Sequence, residues 1–148
     1  MVATIAIDPG ASGAAALFEG PDLIEVHTFE SIADSANYVA SLELRYDHID
    51  AIIEQVGGYI GKPQAGSAMF RFGENYGAWQ GILSAYKVPY IRVTPQRWQK
   101  PLDGLTKLKG PDRKRRLKAI ATERYPNAKP TLKTADAILI GDYYWRSK

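Results

Sequence analysis

Three carboxylates stand in apolar surroundings: Asp8 at the end of "TIAID", Glu54 closing "AIIE", and Asp136 inside "KTADAILIG". A carboxylate among apolar residues is costly to bury unless it is paired or holds a cation. Brought together, three acids repel one another unless protons or cations lie between them. Hard oxygen donors without His or Cys favour Mg²⁺ or Mn²⁺. Two such ions about 3.5 to 4 Å apart can activate a water and stabilise the leaving oxygen in phosphodiester cleavage. The set therefore points to metal-dependent hydrolysis with water as the nucleophile. Each acid alone has a plainer reading, Asp8 above all, because aspartate at a turn commonly accepts backbone N–H groups. The weight rests on the three together.

The elements that must bring these acids together follow from the hydrophobic pattern. Val2 to Asp8 reads as a strand, Pro9 to Gly13 as a turn, and Ala14 to Glu19 as the returning strand of a hairpin. After the turn signal "GPD" a third strand is expected at Leu23 to Phe29. Ser31 is a helix N-cap candidate for a helix reaching Tyr46, with Ile32, Ala36, Val39 and Leu42 at helical spacing. His48 to Gln55 is apolar on both faces and belongs inside a sheet, beside the first strand and parallel to it. That pairing brings the ends carrying Asp8 and Glu54 together.

A glycine-rich loop, "VGGYIGKPQAG", precedes a long helix to about Tyr86, whose apolar stripe is Phe72, Tyr76, Trp79, Leu83 and Tyr86. Gly73, Gly77 and Gly81 form a second stripe in it. Each glycine costs about 1 kcal/mol against alanine inside a helix, so close backbone approach is expected there. Close packing against the protein's own sheet is the first explanation, and contact with a twin subunit the second. A fifth strand is expected at Val88 to Val93, then a short helix capped by Thr94 with Pro95 in its first turn, where Trp98 reads as a packing anchor. A loop over 101–111 leads to a largely exposed basic helix from Asp112 to Tyr125, and the final helix starts near Thr131 and carries Asp136. The fold class is α/β: a mixed five-stranded sheet, three antiparallel strands then two parallel, flanked by helices in one domain over residues 1–148.

Composition sets the boundaries around this site. The chain has 148 residues, no cysteine and a net charge of +3. That length can bury roughly two thirds of the unfolded surface without disulfides. No apolar run approaches the roughly 18 residues of a membrane span, and no secretory signal pattern opens the sequence, so a cytoplasmic protein without a membrane partner is expected. The charge is divided along the chain. Residues 1–86 carry 3 Lys and Arg against 11 Asp and Glu, a net of −8, whereas residues 87–133 carry 14 against 3, a net of +11. A basic half of this size suits a polyanion, nucleic acid first, although a solvated basic helix is the bland alternative.

Four stretches in order, "IAIDPGASGAAAL", "AIIEQV", "VTPQRWQK" and "TADAILIGDYY", span nearly the whole chain and resemble the RuvC-like Holliday-junction resolvases, particularly the short bacteriophage forms. The resemblance implies a ribonuclease-H-like fold, a homodimer with two active sites, and symmetric nicking of four-way DNA junctions with Mg²⁺ or a substituting Mn²⁺. By motif position, Asp8, Glu54 and Asp136 take the metal-binding roles. One position departs from the family. Bacterial members carry a further Asp or His one helical turn before the last aspartate, where this chain has Lys133. A protonated lysine is no metal ligand, although its charge suits the scissile phosphate. Asp142 is no replacement, lying about 120° around the helix from Asp136.

Phosphate contacts supply most of a nuclease's affinity for DNA. The candidates are Arg97, Lys100, Lys107, Lys109, Arg113, Lys114, Arg115 and Arg116 with Lys133, joined by Tyr59 and Lys62 from the glycine-rich loop. An aromatic ring there could stack on an unpaired base for about 1 to 3 kcal/mol. Two other readings compete with a nuclease. One is a branched-DNA-binding protein of the same fold that has lost cleavage, with Lys133 as its signature. The other takes "DPGASG" as the phosphate loop of an actin-like ATPase, but the chain is too short for the two domains that clasp a nucleotide, so no nucleotide cofactor is expected.

Overall fold

The computed structural model of the protein describes residues 1–55, 57 and 66–148. Tyr59 and Lys62, the loop candidates, lie outside the described residues. Strands β1 (Val2–Asp8), β2 (Ala14–Glu19) and β3 (Asp22–Thr28) run antiparallel, followed by α1 (Ile32–Arg45) and β4 (His48–Glu54). Then come α2 (Gly66–Ala85), β5 (Tyr90–Val93), α3 (Pro95–Gln99), α4 (Gly110–Arg124) and α5 (Ala135–Arg146), with a 3-10 turn at Pro126–Ala128 between the last two helices. The sheet order is β3-β2-β1-β4-β5, and β4 is parallel to both β1 and β5. No described helix is long and apolar enough to cross a membrane.

Alternation along the strands divides the core in two. Ile5, Ile7, Leu17 and Ile53 face α1 and α2, together with Val39, Leu42, Trp79 and Leu83. On the other face Ala6, Ala14, Ala16, Phe18 and Ile52 meet residues of α4 and α5 such as Leu117, Ile138 and Ile140. The run of alanines on that face lets α5 come close to β1 and β2. Gly141 completes the approach, because a Cβ there would lie 2.1 Å from the Phe18 ring. Asp50 anchors the far end of the helix by accepting from Thr4 Oγ1 at 2.6 Å and from the Tyr144 hydroxyl at 3.0 Å.

Local chemistry sets the element boundaries. Ser31 caps α1 by accepting from the Asp34 N–H at 3.0 Å, and Thr94 caps α3 by accepting from Arg97. The last helix begins four residues later than its expected start near Thr131. Thr131 and Thr134 exchange backbone-to-hydroxyl hydrogen bonds of 2.9 and 3.2 Å, which closes a turn ahead of the helix. Lys133 therefore sits in that turn and is exposed. The glycine stripe of α2 also departs from its first explanation. Gly73, Gly77 and Gly81 are exposed, and apart from their own stretch of helix no described atom lies within 4 Å of a Cβ built on any of them, so packing against the protein's own sheet is not their role. Trp79, Ile82 and Leu83 turn inward instead, and Tyr86 lies beyond the helix end, exposed.

Candidate active site

Asp8 and Glu54 are the last residues of two adjacent central strands. By strand parity Asp8 follows Ala6 and Glu54 follows Ile52, so both carboxylates project to the face covered by α5. Asp136 stands in the first turn of that helix. The turn after Asp8 keeps the approach open: the Gly10 N–H donates to Asp8 Oδ1 at 3.1 Å, and the Gly13 N–H donates to the Gly10 carbonyl at 3.0 Å. A Cβ at Gly13 would lie 2.0 Å from the Asp8 carbonyl oxygen, so only glycine fits there. Glu54 Oε2 accepts from the Trp98 indole N–H at 2.7 Å.

Burial and mutual repulsion act on the three acids together. Burial pushes Asp8 up from the ordinary carboxylate range, against the pull of the Gly10 N–H and the Lys114 charge. Glu54 is raised to about 8, first by burial and next by Asp8, with Asp136 adding to the rise and the Trp98 hydrogen bond and Lys114 opposing it. Asp136 is raised to about 6 by burial and then by Asp8, again opposed by Lys114. Among the described residues, Lys114 is the one cation whose charge acts on all three acids. The sequence marks it only as a DNA-contact candidate, and its charge reaches the acids because α4 packs on α5 over this face of the sheet.

Carboxylates raised by burial and by one another fit a divalent cation chemically, since the ion's charge favours the ionised form that burial disfavours. No three ligating side chains among the described residues lie close enough to enclose an ion as they stand. The donor set fits Mg²⁺ or Mn²⁺ by type: three hard oxygen ligands, two of them oriented by neutral N–H donors.

A stability prediction follows. Glu54 has an ordinary pKa of 4.5 and a folded value of about 8, so the native state holds its proton longer than the unfolded chain does. The associated stability is full below about 4.5 and is lost as pH rises through about 8. With EDTA present, the melting temperature of the wild type is expected to fall between pH 6 and pH 9. Glu54→Gln, which keeps an acceptor for Trp98, is expected to flatten that fall. Parallel melting curves across the range would contradict the burial of a titrating Glu54.

The basic candidates divide by their bonds. Arg113 donates twice to Gln99 Oε1, at 2.9 and 2.6 Å, and to the Leu105 carbonyl at 3.0 Å, so its guanidinium staples the loop between α3 and α4. Arg116 donates to the Asp103 carbonyl at 3.3 Å in the same loop, Arg115 pairs with Asp112, and Arg97 Nε donates to the Tyr143 hydroxyl at 3.2 Å. Lys100, Lys107, Lys109 and Lys133 are exposed and form no ion pair with a described residue. Sequence reasoning missed one contact of the site. Trp98 bonds Glu54 as well as packing, a link signalled only by its place one turn beyond β5, the parallel neighbour of β4. Asp142 binds Arg124, Arg146 and Tyr125, in keeping with the expectation that it does not join the acids.

Three antiparallel strands followed by two parallel ones, with helices on both faces, define the ribonuclease-H-like architecture. Two solved structures share it over nearly their whole length. The structure of RuvC from Thermus thermophilus in complex with a Holliday junction substrate superposes with a TM-score of 0.70, at 13% identity, covering 99% of this chain and 96% of that one. A second Thermus thermophilus RuvC structure gives 0.65 at 16% identity, covering 98% and 96%. The RuvC-like resemblance carried by the four motifs is therefore matched by the fold. No protein-family model and no curated protein matches the sequence.

Proposed function

We propose that this protein is a homodimeric, divalent-metal-dependent endonuclease that resolves Holliday junctions or related branched DNA. The observation that carries the reading is the placement of Asp8 and Glu54 at the ends of two adjacent parallel strands, with Asp136 in the first turn of the helix that covers them, in a sheet that superposes on RuvC. The RuvC structure holding a Holliday junction supports branched DNA as the substrate class. Two cations held by these acids would activate water and stabilise the leaving oxygen in phosphodiester hydrolysis.

The chain's own residues divide the remaining work. Asp8 and Glu54 each keep one oxygen tied to an N–H donor, which limits their rotation. Lys114 offsets part of the acids' mutual repulsion, and its charge would meet a scissile phosphate bound at them. Lys133 supplies positive charge at the position where a fourth carboxylate would otherwise stand. The exposed lysines of the loop between α3 and α4 hold the flanking phosphates, and Arg113 and Arg116 keep that loop in shape. The exposed glycine stripe of α2 offers the close helix approach that a twin subunit needs.

Binding in EDTA, where cleavage is silent, tests the substrate class. The protein is expected to bind a synthetic four-way junction about 10-fold or more tighter than linear duplex of equal length, with two chains per junction by light scattering. Equal affinity for both DNAs, or one chain per junction, would contradict it. A protein that binds the junction but never cuts it would support the impaired DNA-binding reading to which Lys133 points.

A further inference from the structure

We infer that Trp98 is a positioning residue for Glu54: its indole N–H holds one carboxylate oxygen so that the other is presented to a divalent cation. The inference rests on the reading of Glu54 as a metal ligand.

Trp98 is fully buried, and its Nε1 lies 2.7 Å from Glu54 Oε2. The indole takes Oε2, and Oε1 accepts from no described residue. The donor is itself held firmly. The Gln55 N–H donates to the Val93 carbonyl at 2.7 Å, locking the end of β4 to the end of β5, and α3 starts two residues later under the Thr94 cap. Strand register thus passes directly into the place of the indole.

The chemistry of the donor matters as much as its place. Indole N–H donates only, so it neither ligates a cation nor takes a proton from the carboxylate. Being neutral, it favours the ionised carboxylate while leaving its full charge for the cation, where an arginine would neutralise it. This pairing is no automatic result of burying tryptophan. The indole N–H of Trp145 is also buried and has no partner among the described residues. Packing alone would be served by phenylalanine, which needs no acceptor.

The test replaces Trp98 in the full chain by 3-benzothienylalanine, which keeps the bicyclic shape and lacks the N–H, and separately by phenylalanine as Trp98→Phe. Mn²⁺ binding is followed by paramagnetic resonance of the free ion, in wild-type and Glu54→Gln backgrounds. Loss of the N–H is expected to weaken Mn²⁺ binding about 10- to 100-fold, as loss of a group orienting a metal ligand does. The benzothienyl variant should melt within a few degrees of wild type. In the Glu54→Gln background, removing the N–H should cost no further Mn²⁺ affinity. Unchanged Mn²⁺ binding in the benzothienyl variant, or an equal loss in both backgrounds, would overturn the positioning role. Mn²⁺ binding by Glu54→Gln equal to wild type, or no saturable Mn²⁺ binding by wild type, would overturn the ligand assignment beneath it.

Discussion

Asp8→Asn is expected to lower single-turnover cleavage of a four-way junction at least about 10³-fold while leaving junction binding intact. The substitution keeps the shape and an oxygen for the Gly10 N–H, and it removes the negative charge that both Glu54 and Asp136 feel. A metal-dependent site depends on that charge twice, to hold the cation and to keep its neighbours in register. Transition-state stabilisation of about 4 kcal/mol corresponds to a factor of about 10³. Binding should survive, and even tighten, because phosphate contacts come from the basic segment and removal of an acid lessens repulsion of the DNA backbone. Cleavage by Asp8→Asn at the wild-type rate would remove Asp8 from the chemistry and return it to a turn residue.

The second large effect falls on stability. Asp142→Ala is expected to destabilise the protein by about 3 to 5 kcal/mol, the usual cost of breaking a buried ion pair from one side. Asp142 is 3% exposed and holds Arg124, accepts from the Tyr125 hydroxyl at 2.8 Å, and takes Arg146 on both oxygens at 2.9 Å. Its loss strands the Arg124 guanidinium, whose side chain is 27% exposed, and the Tyr125 hydroxyl. Arg146 is largely in solvent and adds little. In a chain of this size the loss corresponds to a fall in melting temperature of about 10 °C. Urea unfolding should show a lower midpoint at an unchanged slope, with junction cleavage by the folded fraction retained. A variant that stays as stable as wild type but no longer cuts would make Asp142 part of the site instead.

The fold was legible where one physical rule acted alone. The apolar run of His48 to Gln55 reads as an interior strand, and the Pro9 to Gly13 turn returns the chain. With strand parity these place Asp8 and Glu54 on one face. What escaped depends on side chains meeting across elements. Periodicity finds the glycine stripe of α2 but cannot say that it faces outward, because glycine carries no side chain to mark a direction. Charge counting treats Arg113, Lys114 and Lys100 alike, yet the first binds loop carbonyls, the charge of the second acts on the acids, and the third acts on none of them. The Trp98 to Glu54 bond joins residues 44 positions apart and needs the β4–β5 register to appear.

The central claim is that the acid cluster cuts branched DNA with a divalent cation. Its most direct test is an end-labelled map of wild-type cleavage on a mobile four-way junction, in Mg²⁺, in Mn²⁺ and in EDTA. The account predicts nicks on two opposed strands at symmetric positions with either metal and none in EDTA. Cleavage that persists in EDTA, or an uncut junction at saturating metal, would contradict it.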